Sequence, residues 1–524
     1  MQISKRTFRL SSGSLGFAAL LVGSAGLLGA CSVGPAYTTP IIELPSQFQT
    51  QLEEAMGNEQ IELGEWWTVF DDELLNAFID RSLASNLDIQ EALYRIQESR
   101  ALRGVAGTDL LPTVDATGSY SRTEASNRNA GIAPNPRISN SYRLGIDASW
   151  EIDLWGRNRG IVDESQAELE ASIEDGRDVL VAVMGEVALN YVEARTFQER
   201  LRLAYANVDL QEKTLKFTQS QFDANLVSKL DVAQARSNLE STKSAVPTLI
   251  AGLQMIEHRI AVLLGVFPGE LRAELQAIAP IPTPPAQIMI GVPSDVIRQR
   301  ADIRAAERNL AAQTARVGIA TADLYPRLTL SGEIGLSAAN SGDLFSSAAR
   351  TGQFGPSLVW NLFNRKALHD QIKAEDAIVS QSLAIYERTI LQAFEEIENA
   401  MVQFDQEQIR VEHLRLAVVD ARTAVELSSD RYRQGLTDFQ SVIDTQSRLF
   451  ELEDLLARSQ GDIATALVRL YKSLGGGWSS RDIMLQAPNQ DPNQAPDQNP
   501  GQAPDQADTP HTTTHPAPSQ EDES

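Results

Sequence analysis

A seven-residue apolar stripe that occurs twice constrains this chain more than any other feature. Displacing the sequence by 210 residues lays Ser220–Leu239 over Asp430–Leu449, pairing Leu226 with Leu436, Val232 with Val442, Ser237 with Ser447 and Leu239 with Leu449. Ahead of Asn225, apolar residues recur at Leu201, Val208, Leu215 and Phe222; ahead of Gly435 they recur at Val411, Val418, Val425 and Tyr432. Beyond those points the series continue as Val232, Leu239, Val246, Leu253 and Ile260, and as Val442, Leu449, Leu456, Ile463 and Leu470. In a chain that is 42% apolar, filling all eighteen positions by chance has a probability of about 10⁻⁷ before any choice of frame. A stripe of period seven on both sides of a short break predicts two antiparallel helical hairpins in a coiled-coil-like bundle. Asn225 and Gly435 mark the reversals, since both residue types accept the left-handed backbone that a sharp helix end requires. The helical pattern from Asn158 to Phe222 covers about 65 residues and close to 100 Å, more than a globular core needs.

Between the helical tracts the period changes to two. Tyr142, Leu144, Ile146, Ala148, Trp150 and Ile152 alternate with Ser141, Arg143, Gly145, Asp147, Ser149 and Glu151. Leu328, Leu330, Ile334 and Leu336 alternate with Arg327, Thr329, Ser331 and Glu333, while Val114–Tyr120 and Phe354–Leu362 follow the pattern less strictly. Each run has about the length at which a tilted strand crosses the hydrocarbon of a bilayer, with opposite faces toward lipid and lumen. Four strands cannot close a barrel, and open sheet edges are forbidden in lipid. Three copies would supply twelve strands. Trp150, Trp155 and Trp360 lie where strands give way to helices, a place suited either to a membrane interface or to packing at the joint.

The first thirty residues carry Lys5, Arg6 and Arg9 ahead of an apolar run, Leu15–Ala30, too short and glycine-rich to remain as a span. This reads as an export signal. Its removal takes away three bases and no acids, moving the formal charge from −25 to −28, which argues against a nucleic-acid partner. Leu28-Gly29-Ala30-Cys31 resembles a bacterial lipobox, and Cys31 is the chain's one cysteine, so acylation explains it better than a disulfide. Ser32 is not the aspartate that holds many lipoproteins at the inner membrane, which favours the outer one. From about Ser479 to Ser524 the chain is acidic and rich in glutamine and proline, a composition that cannot build a core. His511 and His515 in that tail lack the partners of a metal site, His258, His369 and His413 are isolated on helices, and no nucleophile elbow, phosphate loop or zinc spacing occurs. An enzyme is not expected.

Several ordered landmarks then point to one family. Cys31-Ser32-Val33-Gly34-Pro35-Ala36-Tyr37, Trp66-Trp67-Thr68-Val69-Phe70 with Asp72–Leu74, and Glu151-Ile152-Asp153-Leu154-Trp155-Gly156-Arg157 are followed by Pro293-Ser294-Asp295 and Arg300–Glu307. Tyr325-Pro326, Trp360-Asn361-Leu362-Phe363 and Leu474-Gly475-Gly476-Gly477-Trp478 complete the set, with Ala301 in place of the usual proline. Over about residues 31–478 the chain resembles the outer-membrane efflux proteins, the TolC-like ducts, and among them the lipidated OprM/NodT-type branch. The resemblance implies a mainly helical protein with membrane strands: a homotrimer with a 12-stranded β-barrel, a periplasmic α-barrel and an equatorial collar. It implies a signal peptide (1–30), an N-terminal repeat (31–290), a C-terminal repeat (291–478) and a disordered tail (479–524). The implied partners are outer-membrane lipid, a periplasmic membrane-fusion adaptor and an inner-membrane RND pump, with no cofactor beyond the lipid on Cys31.

The same resemblance assigns the sites. The tips Asn225-Leu226-Val227-Ser228 and Gly435-Leu436-Thr437-Asp438 would receive the adaptor. Asp444 matches a pore-facing aspartate, which a threefold axis would multiply into a negative ring that attracts cations. Asp231 matches an acid that bonds the tyrosine matched by Tyr432 and keeps the helices coiled inward, with Thr437 standing where some relatives carry an arginine. The rival readings are the exit duct of a type I protein-secretion system and a structural coiled-coil lipoprotein of the outer membrane.

Overall fold

The duplication seen in the stripes extends through the elements of the fold. The computed structural model describes residues 32–50, 63–124, 138–284 and 299–477; the signal segment, Cys31, Pro293–Asp295 and the tail lie outside the described residues. After α1 (Glu73–Ser85) the first repeat runs α2 (Leu87–Thr108), β1 (Thr113–Glu124), β2 (Ile138–Ile152), α3 (Arg157–Asp223) and α4 (Lys229–Leu263). The second runs α5 (Ala301–Ala322), β3 (Arg327–Ala338), β4 (Arg350–Val359), α6 (Arg365–Arg433) and α7 (Phe439–Ser473). Equivalent helices match in length: 22 residues for α2 and α5, 67 and 69 for α3 and α6, and 35 for α4 and α7.

The two hairpins are α3/α4 and α6/α7, as the stripes require. Of the eighteen stripe positions nine are buried, nine are half-buried and none is exposed, so the period marks the packed seam. The reversals fall at the expected residues, with Asn225 at φ +58° and Gly435 at φ +73°. Along its strand-proximal part α3 packs on α2 and α5, and toward the tip on α4 and α7. Helix α6 packs on α5 and then on α7.

This arrangement requires α4 to meet α2, and α7 to meet α5, end to end, and the helix termini explain how. Asn86 caps the start of α2 by accepting from the Asp88 and Ile89 amides (2.9 and 3.1 Å), while its Nδ2 donates to the Leu263 carbonyl at the end of α4 (2.9 Å). In the second repeat Arg300 Nη1 donates to the Ser473 carbonyl at the end of α7 (2.8 Å), and Asp302 accepts from the Ile303 amide. One side chain thus serves orphan groups of a helix end, or bridges it to the next helix start, where water would otherwise be needed. Around this level lies the main core, including Trp66, Phe78, Met184, Tyr191, Ile260 and Tyr471. Tyr191 donates to Asp72, the cap of α1 (2.7 Å), and Arg195 joins Tyr191 to the Ala277 carbonyl.

Residues 32–50 form an extended strap. Val33 N donates to the Trp155 carbonyl (3.3 Å), and Gly34 lies so close to α5 that a Cβ on it would come 2.4 Å from Gly318 Cα. Tyr37 donates to Glu307 (2.6 Å), and farther on the Gln49 and Thr50 amides donate to Glu398 (2.6 and 3.1 Å). The strap therefore touches both repeats.

Candidate functional site

The four strands form one antiparallel sheet in the order β1-β2-β3-β4, so β1 and β4 are its open edges. Register decides which side chains share a face, because directly paired residues point the same way. Val114, Ala148, Gly332 and Phe354 form one row, and Ala116, Ile146, Ile334 and Gly352 the next. Trp150, Leu330 and Pro356 fall on the same face. That face is apolar and uncovered: Val114, Ile146, Ile334, Phe354 and Leu358 are all exposed. In water so large an apolar surface would drive aggregation, whereas lipid is its natural contact. The opposite face is polar, with Asp115, Asp147, Glu333 and Gln353 in one row.

The fourth strand differs from its expected span. It begins at Arg350 and ends at Val359, because Arg350 and Thr351 pair with Leu336 and Gly335, while Trp360 turns to the joint. There Trp360 Nε1 donates to the Leu324 carbonyl (3.1 Å), and 210 residues earlier Trp150 Nε1 donates to the Leu110 carbonyl (3.1 Å). Trp155 Nε1 donates to the Pro326 carbonyl (2.8 Å) and stacks on Tyr325. Each indole pins a helix-to-strand corner, and Trp150 and Trp360 remain exposed there.

At the far end of the hairpins the tips are built by capping. Ser228 Oγ accepts from the Asp231 amide (3.4 Å) and Asp231 Oδ2 from the Ser228 amide (3.1 Å), a reciprocal cap that starts α4. Asp438 starts α7 by accepting from the Ser441 amide (3.1 Å). The tips sit side by side, with Gln234 Nε2 donating to Gln440 (3.1 Å) and Ser447 Oγ donating to Asn238 (3.1 Å). Asn225, Leu226, Gly435 and Leu436 are exposed, Val227 and Thr437 half-buried, and the two leucines are large apolar knobs in solvent.

Asp444 lies on an exposed face of α7, held by Gln440 Nε2 (2.6 Å). Tyr432 packs against Phe439 and Phe217, and its hydroxyl is buried beside Thr218. Burial, and after it the charge of Asp231, push that hydroxyl's pKa up. Asp231 itself is engaged in the Ser228 cap rather than bonded to Tyr432. A serine three residues before an acid at a helix start is legible in sequence, and it is the signal for this local use.

Less legible was the contact between hairpins. Asn207, Gln211, Thr214 and Thr218 form one stripe of α3; Asn207 Nδ2 donates to Glu453 and Gln446 Nε2 to Thr214 across to α7 (3.1 and 2.9 Å). Among the described residues no group of three His, Cys, Asp or Glu side chains could hold a metal, and no helix is long and apolar enough to cross a membrane.

Known proteins share this arrangement. The family described as Outer membrane efflux protein matches residues 78–266 and 292–476, one block per repeat. The chain is 30% identical over 454 residues to nodulation protein T of Rhizobium leguminosarum bv. trifolii, covering 86% of this chain and 96% of that one. It is 32% identical over 419 residues to the pyoverdine export outer membrane protein OpmQ of Pseudomonas putida, covering 79% and 88%. The solved outer-membrane channel OprN superimposes with a TM-score of 0.80 at 35% identity, over 86% of this chain and all of that one. The fold is also that of the open-state MtrE channel of Neisseria gonorrhoeae, with a TM-score of 0.75 over 85% of this chain and 98% of that one. The chain belongs to the outer membrane efflux protein family, and it is an efflux channel of the outer membrane.

Proposed function

We propose that three copies of this chain close into the exit duct of a tripartite RND-type efflux system, receiving solutes from an inner-membrane pump through a periplasmic adaptor. The observation that carries this reading is the open sheet. One protomer exposes a continuous apolar face and two unpaired edges, a combination that lipid tolerates only when other strands seal the edges. Twelve strands leave room for a lumen, and the polar face with its Asp115, Asp147 and Glu333 row would line it.

Lipid on Cys31 fits the same geometry. Ser32, the next residue in the chain, packs on Gly156 at the strand-to-helix junction. The exposed tips, Asn225–Ser228 and Gly435–Thr437, are the surface for the adaptor, and Asp444 faces the axis as a threefold acidic ring. Relatives named for pyoverdine export and for toluene efflux imply dissimilar cargo in one architecture, which fits a duct that leaves selection to its pump.

The test is conductance of the purified, acylated protein in planar bilayers, together with susceptibility of a deletion strain to dyes, detergents and antibiotics. A monomer in mild detergent that passes no current would sink the proposal. Asp444→Ala is expected to weaken block by multivalent cations and to raise leak; unchanged block would remove Asp444 from the constriction.

A further inference from the structure

The bases around the sheet are treated differently at its two ends. Where the strands meet the helices they are matched by acids: Arg157 and Arg327 both bond Asp323 (3.1 and 2.6 Å), and Arg159 bonds Asp153 (3.1 Å). At the opposite strand ends Arg122 of β1 and Arg350, the first residue of β4, are exposed, and neither has a hydrogen bond or ion pair among the described residues.

Register puts both of them on the apolar face. Arg350 shares a row with Leu336, Leu144 and Gly118, and Arg122 pairs with Asn140. The row between holds Tyr120 beside Tyr142, ring centroids 4.7 Å apart, and the Tyr120 hydroxyl donates to Asn140 (3.3 Å). No other base of the strands lies on this face; its one acid, Glu124 at the end of β1, is already engaged. From Trp150 to Asn140 along β2 the rise is about 33 Å, or about 25 Å across the bilayer for a strand tilted by about 40°, which is the height of a lipid-facing band. Indoles thus mark one margin of the band and tyrosines the other. A base on a lipid-facing surface costs least at such a margin, and the long stem of arginine lets its charge reach outward.

Beside Arg350 the apolar face dips. Leu144, Ile146, Ile334 and Leu336 rim a shallow depression of about 500 Å³ with Arg350 at its edge, and Gly145 and Gly335, having no side chains, give it a main-chain floor. An apolar trough with an unpaired guanidinium at its outer edge complements an acyl chain that ends in an anion.

We infer that this is a site for a phosphate-bearing, acylated glycolipid of the outer leaflet: part of an acyl chain lies in the depression, a phosphate accepts from Arg350, and Arg122 stands above the tyrosine pair as a second base. The occupant is a lipid rather than a free ion because the surface beside the guanidinium is apolar. It is anionic because both bases of this face sit at this end without an acid partner. The inference rests on the proposed reading, in which the sheet crosses the membrane with the helices in the periplasm, and adds what its outward end recognises.

The test uses the full-length acylated protein, stripped of lipid and placed in phosphatidylcholine nanodiscs, with bisphosphorylated lipid A as the probe and native mass spectrometry as the measure of lipid retained. Lipid A is expected to be held about tenfold more firmly than phosphatidylcholine. Arg350→Gln should lose most of that preference and Arg350→Lys keep part of it, while Arg143→Gln, which removes a base from the polar face of β2, should keep all of it. Lipid A freed of its phosphates should bind no better than phosphatidylcholine, and inorganic phosphate should not displace the intact lipid. Equal retention by the native protein and Arg350→Gln, or equal retention of the dephosphorylated lipid, would overturn the site; displacement by inorganic phosphate would overturn the lipid in favour of a free ion. Protein that conducts in bilayers yet shows no preference removes this inference alone, whereas protein that neither inserts nor conducts removes the reading beneath it.

Discussion

Replacing Gln211 with leucine asks how firmly the two hairpins hold one another. Gln211 is 2% exposed, and neither its Nε2 nor its Oε1 has a hydrogen-bond partner. It lies on α3 between Asn207, whose Oδ1 is also unpaired, and Thr214, in the stripe that meets α7. A buried polar group without a partner costs about 1–3 kcal/mol. Leucine has a similar volume and removes two such atoms, and the different branching returns at most about 1.5 kcal/mol. The expected net stabilisation is therefore about 0.5–6 kcal/mol for each protomer. The same energy opposes any parting of α3/α4 from α6/α7, and each 1.4 kcal/mol is about tenfold in an equilibrium constant. Thermal unfolding in detergent should move upward, and the open probability of single channels in bilayers should fall. A lower unfolding temperature for Gln211→Leu would refute the reasoning, because it would mean that an internal water satisfies the amide and that the stripe is a complete network. Gln211→Ala, which leaves a cavity, separates the loss of volume from the loss of the amide.

Other consequences follow from the strap and the tips. Gly34→Val should lift the strap from α5, since even a Cβ would lie 2.4 Å from Gly318 Cα; proteolysis of residues 32–50 should accelerate, and unaltered cleavage would show that the strap seats elsewhere. Burial alone would raise the pKa of Glu398, but hydrogen bonds from Thr50 and Gln49 outweigh it and hold the carboxyl below its usual value. At Glu307 burial is likewise outweighed by bonds from Arg308 and Tyr37. Both contributions are complete above the ordinary glutamate value of about 4.3 and disappear as pH falls through the lower folded values, so the protection of the Gln49 and Thr50 amides, taken relative to their intrinsic exchange at each pH, should fall only under acid conditions and stay constant between neutrality and the ordinary value. Gly435→Val should cost about 1–2 kcal/mol, since φ is +73° and no atom crowds the site; normal protein levels with lost dye efflux would locate the defect at the tip.

How much of this was legible beforehand depended on the range of the interaction. The hairpins, their turns at Asn225 and Gly435, and the strands were readable because a helix seam and a half-buried strand each impose a period on neighbouring residues. Helices α2 and α5 were not readable in that way: α2 buries Ile89, Ala92, Ile96 and Ala106 while exposing Leu87, Tyr94, Leu102 and Val105, and apolar residues on both faces leave no single stripe. Family likeness placed Asp231 opposite Tyr432, but the local cap competed for the carboxylate and holds it here.

The amino-acid order by itself determined the duplication, the length of the hairpins and the alternation of the strands, all of which are set by side chains a few residues apart. Tertiary structure alone decided that Asn86 and Arg300 join helices end to end, that register brings the apolar strand residues, Val359 excepted, to one uncovered face, and that a second apolar stripe of α6, at Val402, Ile409 and Leu416, is left without a partner within the protomer. Those outcomes depend on which distant surfaces are already covered, and coverage is a property of the packed chain that no local period can encode.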